Sequence, residues 1–198
     1  MNKLQQDPCI HCRVKIKALE HSIQELENQL REALGTDPLT GLASKKKVYE
    51  DLEHSFAVLH RDEKNRGHRA ANNFSIIFID LDGFKAINDG NHLRGDRILI
   101  EFADYLREVT RKVDTVARFG GDEFFILARN TTKEEAQFLC DKIQSGLKSY
   151  SFDSENEELK LMASVATAST SEGFTKYMPM IAEADARMQV QKSLRKRK

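Results

Sequence analysis

The chain has 198 residues, 31 basic and 31 acidic side chains, a formal net charge of zero and 40% hydrophobic content. That length and apolar fraction suit one domain with its own core plus an extension, and the balanced charge excludes a global field that would draw the chain to nucleic acid or to an anionic membrane. No run approaches the roughly 18 apolar residues of a membrane span, and Met1–Gln6 is not followed by the apolar core of a signal peptide, so a cytoplasmic protein is expected.

The extension comes first in the chain. Cys9, Cys12, Ile16, Leu19, Ile23, Leu26, Leu30 and Ala33 alternate spacings of three and four, the seam of a coiled coil. Asp7 is placed as N-cap, Pro8 at the first helical position and Gly35 as a stop. So narrow an apolar stripe gains most by pairing in parallel with a copy of itself, the alternative being to fold back on its own domain. The division expected is a stalk over 1–36 and a globular domain over 37–198. Cys9 and Cys12, three apart, share a helix face. In a parallel dimer four thiols converge, which suits tetrahedral zinc or thiol–disulfide chemistry near a helix N-terminus; otherwise both act as small seam hydrophobes.

Helical patterning follows near 44–60, and His60 to Asn73 reads as a polar surface loop. Phe74–Ile79 is an apolar run of strand character that ends in Asp80-Leu81-Asp82-Gly83-Phe84-Lys85, two acids and a lysine at a strand-to-helix turn. Such a turn can offer N–H groups to an anion and carboxylates to magnesium. Asp82 can instead cap the helix that begins near Gly83, whereas capping leaves Asp80 without a role. A helix is expected near 92–112, then a tight hairpin: Val116–Phe119 and Phe124–Leu127 flank Gly120-Gly121-Asp122-Glu123. Two glycines let a backbone approach a bulky anion closely, so the turn reads either as a nucleotide-handling element or as a solvated acidic loop. Further on come a helix at 132–149 with Cys140 facing the core, a strand at 159–168 and a helix at 176–194.

Asp37-Pro38-Leu39-Thr40-Gly41-Leu42, the stretch Asp80 to Asp89, His92-Leu93-Arg94-Gly95-Asp96 and Arg118 to Phe124, in that order, resemble the GGDEF family, the diguanylate cyclases that condense two GTP molecules into cyclic di-GMP. The resemblance implies an α/β (α+β) fold, a palm-like, mostly antiparallel central sheet wrapped by helices; periodicity by itself gives only α/β or α+β. It implies that Asp80, Asp122, Glu123 and the carbonyl of Leu81 hold two Mg²⁺ ions, or Mn²⁺ in their place, and that Asp80, Asp122 and Glu123 carry catalysis. It implies that Gly120, Gly121, Phe84, Lys85, Lys192 and Lys196 receive the nucleotide and its phosphates, with Asn88 and Asp96 reading guanine. An aspartate accepting from the guanine N1 and N2 donors leaves adenine poorly paired, which argues for GTP over ATP. Arg111 and Asp114 stand where many members carry an inhibitory cyclic di-GMP site; read alone they form an i, i+3 helix pair.

The sequence departs from the family pattern at several points. The segment Asp89-Gly90-Asn91-His92 is one residue shorter than usual, with Asn91 in place of a glycine. Ala43-Ser44-Lys45 replaces a common asparagine-arginine, Ser164-Val165-Ala166 replaces serine-x-glycine, and Arg195-Lys196 replaces glycine-arginine at the start of a basic tail that reads as a solvated end. The expectation is an active homodimeric cyclase with its stalk as regulatory handle, the alternative a catalytically weak receptor for cyclic di-GMP.

Overall fold

The computed structural model describes residues 10–66, 73–89, 91–152 and 159–195. The expected cap at Asp7 and Pro8, together with Cys9 and Lys196, lies outside the described residues. In chain order the elements are α1 (Ile10–Ala33), β1 (Ala43–Ser44), α2 (Lys45–Arg66), β2 (Ser75–Leu81), α3 (Phe84–Asn88), α4 (His92–Val109), β3 (Thr115–Gly120), β4 (Glu123–Ala128), α5 (Lys133–Ser149), β5 (Ala163–Ser169) and α6 (Tyr177–Arg195). Among the described residues the strands form one sheet of five, ordered β1-β3-β4-β2-β5, antiparallel except where β1 meets β3.

Strand β2 is the axis of the domain. All seven of its residues are buried, because β4 and β5 pair with both of its edges and helices cover both of its faces. Side chains alternate along a strand, so Ile77, Ile79 and Leu81 join α4 and α5 in a core with Ile98, Phe102, Leu106, Ile143 and Leu147. Ile76 and Phe78 turn the other way, toward Val48, Leu52 and Phe56 of α2 and Met180, Ala184 and Met188 of α6. The same parity places Asp80 on the α6 side, which fixes what it meets.

Four boundaries depart from the sequence expectations. Helix α2 runs on to Arg66, so His60 to Arg66 is helix and not loop; Arg, Glu and Lys are good helix formers. Helix α4 ends at Val109, because Thr110 turns extended and sends its N–H and its hydroxyl back to the Leu106 carbonyl. Strand β5 begins at Ala163, while Leu159 makes only an isolated bridge to Phe152. Arg195 is the last residue of α6 and is bound to the domain, not a solvated end. Elsewhere local chemistry matches: Thr132 and Glu135 form a capping box at α5. Cys140 is buried and burial pushes its thiol up to about 12, the state of an unreactive core cysteine.

Helix α6 is tied to the end of β5 by Glu172, which accepts from Arg187 at 2.8 and 3.0 Å and from Lys133 at 2.8 Å. The Arg187 guanidinium first, then Lys133 and the Ser169 N–H, outweigh burial and hold the Glu172 carboxyl down at about 2. A depressed carboxyl contributes stability that is present above its ordinary value near 4.5 and is lost as pH falls through about 2. Glu172→Gln should therefore cost on the order of 2–3 kcal/mol at pH 7 and almost nothing near pH 2, as read by urea unfolding at the two pH values. Equal losses at both would assign the effect to packing.

Candidate active site

The hairpin joining β3 and β4 pairs Arg118 with Phe124 and Gly120 with Glu123, with a bulge between Arg118 and Gly120. Gly121 has φ +53°, a conformation that favours glycine. Gly120 has an ordinary backbone, and a Cβ built on it meets no atom within 4 Å. Nothing in the fold therefore requires a glycine at 120, and the open space beside it is what an approaching anion needs. Two contacts hold the turn in place: Leu81 N–H donates to the Asp122 carbonyl at 3.3 Å, and Arg118 Nε donates to the Gly121 carbonyl at 2.8 Å. Arg118 also reaches Asp37 Oδ1 at 3.4 Å, and Asp37 Oδ1 accepts from the Thr40 N–H and hydroxyl at 2.8 and 2.7 Å. The glycine turn is thereby linked to the turn that follows α1.

Register brings the acids together. Asp80 on β2 lies opposite Glu123 on β4, with Asp122 one residue earlier. Asp80 is 4% exposed, and both of its oxygens accept from Lys192 Nζ, at 2.6 and 2.7 Å. Burial pushes the Asp80 carboxyl up, Lys192 pulls it down, and Asp122 and Asp82 push it up further. Lys192, against its own burial, is held above the ordinary lysine value by Asp80. Glu123 is raised by burial first and then by Asp80, Asp122 and Asp185, with Lys45 pulling the other way. The cluster thus carries more negative charge than one ammonium balances. Its donors are all oxygens, the chemistry of a hard cation such as Mg²⁺, and Asp80, Asp122, Glu123 and the Leu81 carbonyl fit that ion in kind. In the present arrangement the Lys192 ammonium holds Asp80, and among the described residues no three acidic, His or Cys groups converge as a metal site.

Asp82 does not cap α3. Gly83 is the N-cap, without a side-chain bond. The Asp82 carboxylate instead accepts from the Ser164 hydroxyl at 2.7 Å and from Arg195 at 2.7 Å, and Arg195 also donates to the Ala163 carbonyl at 2.6 Å. These bonds join β2, β5 and α6 at the edge of the site. They give Arg195, noted as a departure, and Ser164, the serine that the family pattern keeps, a structural role.

On the α4 side of the hairpin a cavity of about 340 Å³ is lined by Lys85, Asn88, His92 and Asp96 and bounded by Gly121 and Asp122. Phe84 forms part of its wall. Asn91, the replacement in the shortened segment, is the N-cap of α4 and accepts from the Arg94 N–H at 3.0 Å. A Cβ at position 95 would collide with the Asn88 side-chain oxygen, so Gly95 is what lets Asn88 lie against α4. Lys192 is on the other side of β2 with Asp80, away from Lys85. Sequence reasoning gave no role to Arg118, His92 or Asp185, which line the cavity or bear on Glu123. Asn91 directly ahead of the helical pattern was a legible cap signal, whereas nothing local gives Asp185 a role.

Arg111 and Asp114 do not form a helix pair. They close a turn in which Asp114 N–H donates to the Arg111 carbonyl at 3.0 Å, and the Asp114 carboxylate accepts from the backbone N–H of Arg111 at 3.3 Å and of Arg129 at 3.1 Å. Arg111, Asp114, Phe138 and Lys142 line a depression of about 240 Å³ at the opposite end of β3 from the glycine turn. On α1, Cys12 is exposed. No described helix is long and apolar enough to cross a membrane.

Fold and site define a mixed α/β domain with an acidic strand-end cluster beside a polar cavity. The family described as "Diguanylate cyclase, GGDEF domain" matches residues 34–198, and the chain belongs to that GGDEF family. Diguanylate cyclase DgcP of Pseudomonas aeruginosa is 36% identical over 140 residues, 70% of this chain and 20% of that protein. A diguanylate cyclase of Vibrio cholerae is 34% identical over 146 residues, 73% of this chain and 43% of that one. The chain therefore spans less than half the length of these curated relatives. In shape, the coiled coil and GGDEF domain of DgcB from Caulobacter crescentus, solved with cyclic di-GMP, matches with a TM-score of 0.71 at 22% identity over 94% of this chain and 95% of that one.

Proposed function

We propose that this chain is a diguanylate cyclase that joins two GTP molecules into cyclic di-GMP, with residues 1–36 as a dimerising stalk and 37–198 as the catalytic domain. One observation carries the reading: Asp122, next to Glu123 and its cross-strand partner Asp80, lines with Gly121 a cavity that also holds Lys85, Asn88 and Asp96. Asp96 accepts from the guanine N1 and N2 donors, and Asn88, seated against Gly95, fixes the other side of the base. Lys85 meets the phosphates as a point charge, and the two glycines let the main chain lie against them. Lys192 moves from Asp80 to the triphosphate as the nucleotide enters. Asp80, the Leu81 carbonyl, Asp122 and Glu123 would hold the divalent ions, which when bound lower the pKa of the attacking 3′-hydroxyl and offset charge on the transferring phosphoryl group.

The apolar stripe of α1 supports the dimer. Ile16, Leu19, Ile23, Leu26 and Leu30 are between 48% and 64% exposed, so the stripe is open to a second helix and is not folded back. The depression at Arg111, Asp114 and Lys142 supports a regulatory site for the product, two cationic side chains suiting phosphate and the guanine edge. Arg111→Ala should then relieve inhibition by added cyclic di-GMP, and equal inhibition of mutant and parent would remove that site. The stalk thiols Cys9 and Cys12 are proposed as a zinc or redox pair, to be sought by metal analysis of protein purified without oxygen.

Binding of 3′-deoxy-GTP, which cannot be extended, tests the site by calorimetry. The parent should bind it with Mg²⁺, whereas Asp96→Ala and Gly95→Ala should each weaken it at least about tenfold, the first by losing the acceptor and the second by displacing Asn88. Unchanged affinity in both variants would place guanine elsewhere.

A further inference from the structure

A second cavity, about 570 Å³, borders the glycine turn on its other flank. Asp37 and Pro38 from the turn after α1, Lys45 and Lys46 from the first turn of α2, and Phe119 and Gly120 from β3 line it. Arg118 and Gly121 line both this cavity and the one that holds Asp96. Strand parity separates the two: Phe119 packs in the core under α2 and α6, while Phe84 and Leu99, in the walls of the Asp96 cavity, pack in the core under α4 and α5. The turn is thus flanked by two nucleotide-sized hollows, one on each face of the sheet.

The second hollow has the chemistry to hold an anion with a ring attached. Lys45 and Lys46 are exposed, and Lys45 Nζ stands 4.3 Å from the centre of the Phe119 ring. The Lys45 charge is felt by Glu123, so the hollow and the acidic cluster are in electrostatic contact. Its position matters as much. Asp37 and Pro38 follow the last residue of α1 by four and five positions, at most about 18 Å of extended chain. The hollow therefore lies at the base of the stalk, next to the stripe that a second copy of the chain covers. The residues around Asp96 provide for one nucleotide per protomer, and cyclisation needs another to reach the same turn.

We propose that this hollow receives the GTP carried by the second protomer, with Lys45 and Lys46 holding its phosphates in trans. The inference rests on the cyclase reading and adds residues to it. The lysines form no covalent bond. In each half-reaction the 3′-oxygen of one nucleotide bonds to the α-phosphorus of the other, the bond from that phosphorus to the bridging oxygen breaks, pyrophosphate leaves with the electron pair, and the hydroxyl proton passes to solvent. The lysines align the two nucleotides for that exchange. Their side chains are exposed, so glutamine at both positions preserves the fold, which a melting curve verifies.

The test uses full-length chains and 3′-deoxy-GTP with Mg²⁺. The Lys45→Gln, Lys46→Gln homodimer should bind the analogue at least about tenfold more weakly than the parent. A heterodimer is then purified through two different tags, one protomer carrying the two lysine changes and the other Asp96→Ala. In trans, both lesions fall on one nucleotide and the other keeps a whole site, so the heterodimer binds one analogue per dimer at parental affinity. In cis, each nucleotide is damaged and no site of parental affinity remains, which overturns the proposal. Parental affinity in the lysine homodimer would overturn it as well. Failure of the unmodified dimer to bind the analogue at all would instead defeat the cyclase reading beneath it.

Discussion

Asp122→Asn is expected to lower cyclic di-GMP formation by a factor on the order of 10³ or more while the domain still melts as before. The side chain is only partly buried, and the hairpin is held by backbone and arginine contacts that the change leaves intact: Leu81 N–H to the Asp122 carbonyl, and Arg118 to the Gly121 carbonyl. Asp80→Asn provides the contrast. It removes the charge that faces Lys192 at 2.6 and 2.7 Å, with the Asp80 side chain 6% exposed and that of Lys192 26%. Breaking a fully buried pair costs about 3–5 kcal/mol; the partial exposure of Lys192 reduces that here, but the melting temperature should still fall by several degrees. The two variants are to be compared by chromatography of the product and by thermal melts. Parental turnover in Asp122→Asn would refute its role, and an unshifted melt in Asp80→Asn would refute the structural weight of the pair.

That contrast also marks what the sequence made legible. The run Phe74 to Ile79 and the hairpin around Gly120 are local patterns, and both formed where periodicity and turn chemistry put them, because β2 is apolar at nearly every position and Gly121 sits at a positive φ. The motifs around Asp80, Asp96 and Asp122 carried the family resemblance, which the match over 34–198 supports. What the sequence hid is long-range. Lys192 is 112 positions from Asp80, and Arg195 is 113 from Asp82. No window of sequence shows that strand parity turns Asp80 toward α6, or that Asp82 is taken by Ser164 and Arg195 and so is unavailable as a cap. The helix-pair reading of Arg111 and Asp114 fails for the opposite reason. Helical spacing was extended past Thr110, whose side chain and N–H both close on Leu106 and end the helix there.

Leu19→Glu with Leu26→Glu should separate the protomers and reduce turnover on the order of 100-fold or more at nanomolar protein, with 3′-deoxy-GTP binding less affected. The two leucines are 63% and 64% exposed in the single chain, and the proposed pairing would bury them; fully burying each is worth about 1.5–3 kcal/mol. Charges at two seam positions replace that gain with repulsion. The rate penalty has a separate origin, since holding two reactants in register removes on the order of 7 kcal/mol from a barrier in favourable cases, and a monomer forfeits that alignment. Sedimentation and product formation are to be followed on the same samples. A variant that stays dimeric would show that α1 is not the interface. A monomer that cyclises at the parental rate would show that facing half-sites are not needed.

The most direct measurement incubates the purified full chain with GTP and Mg²⁺ and follows cyclic di-GMP and pyrophosphate together. Two pyrophosphates per cyclic di-GMP, no cyclic product from ATP, and a rate that rises faster than linearly with dilute protein are the predicted results. A dimeric protein that binds added cyclic di-GMP but forms none from GTP would contradict the account.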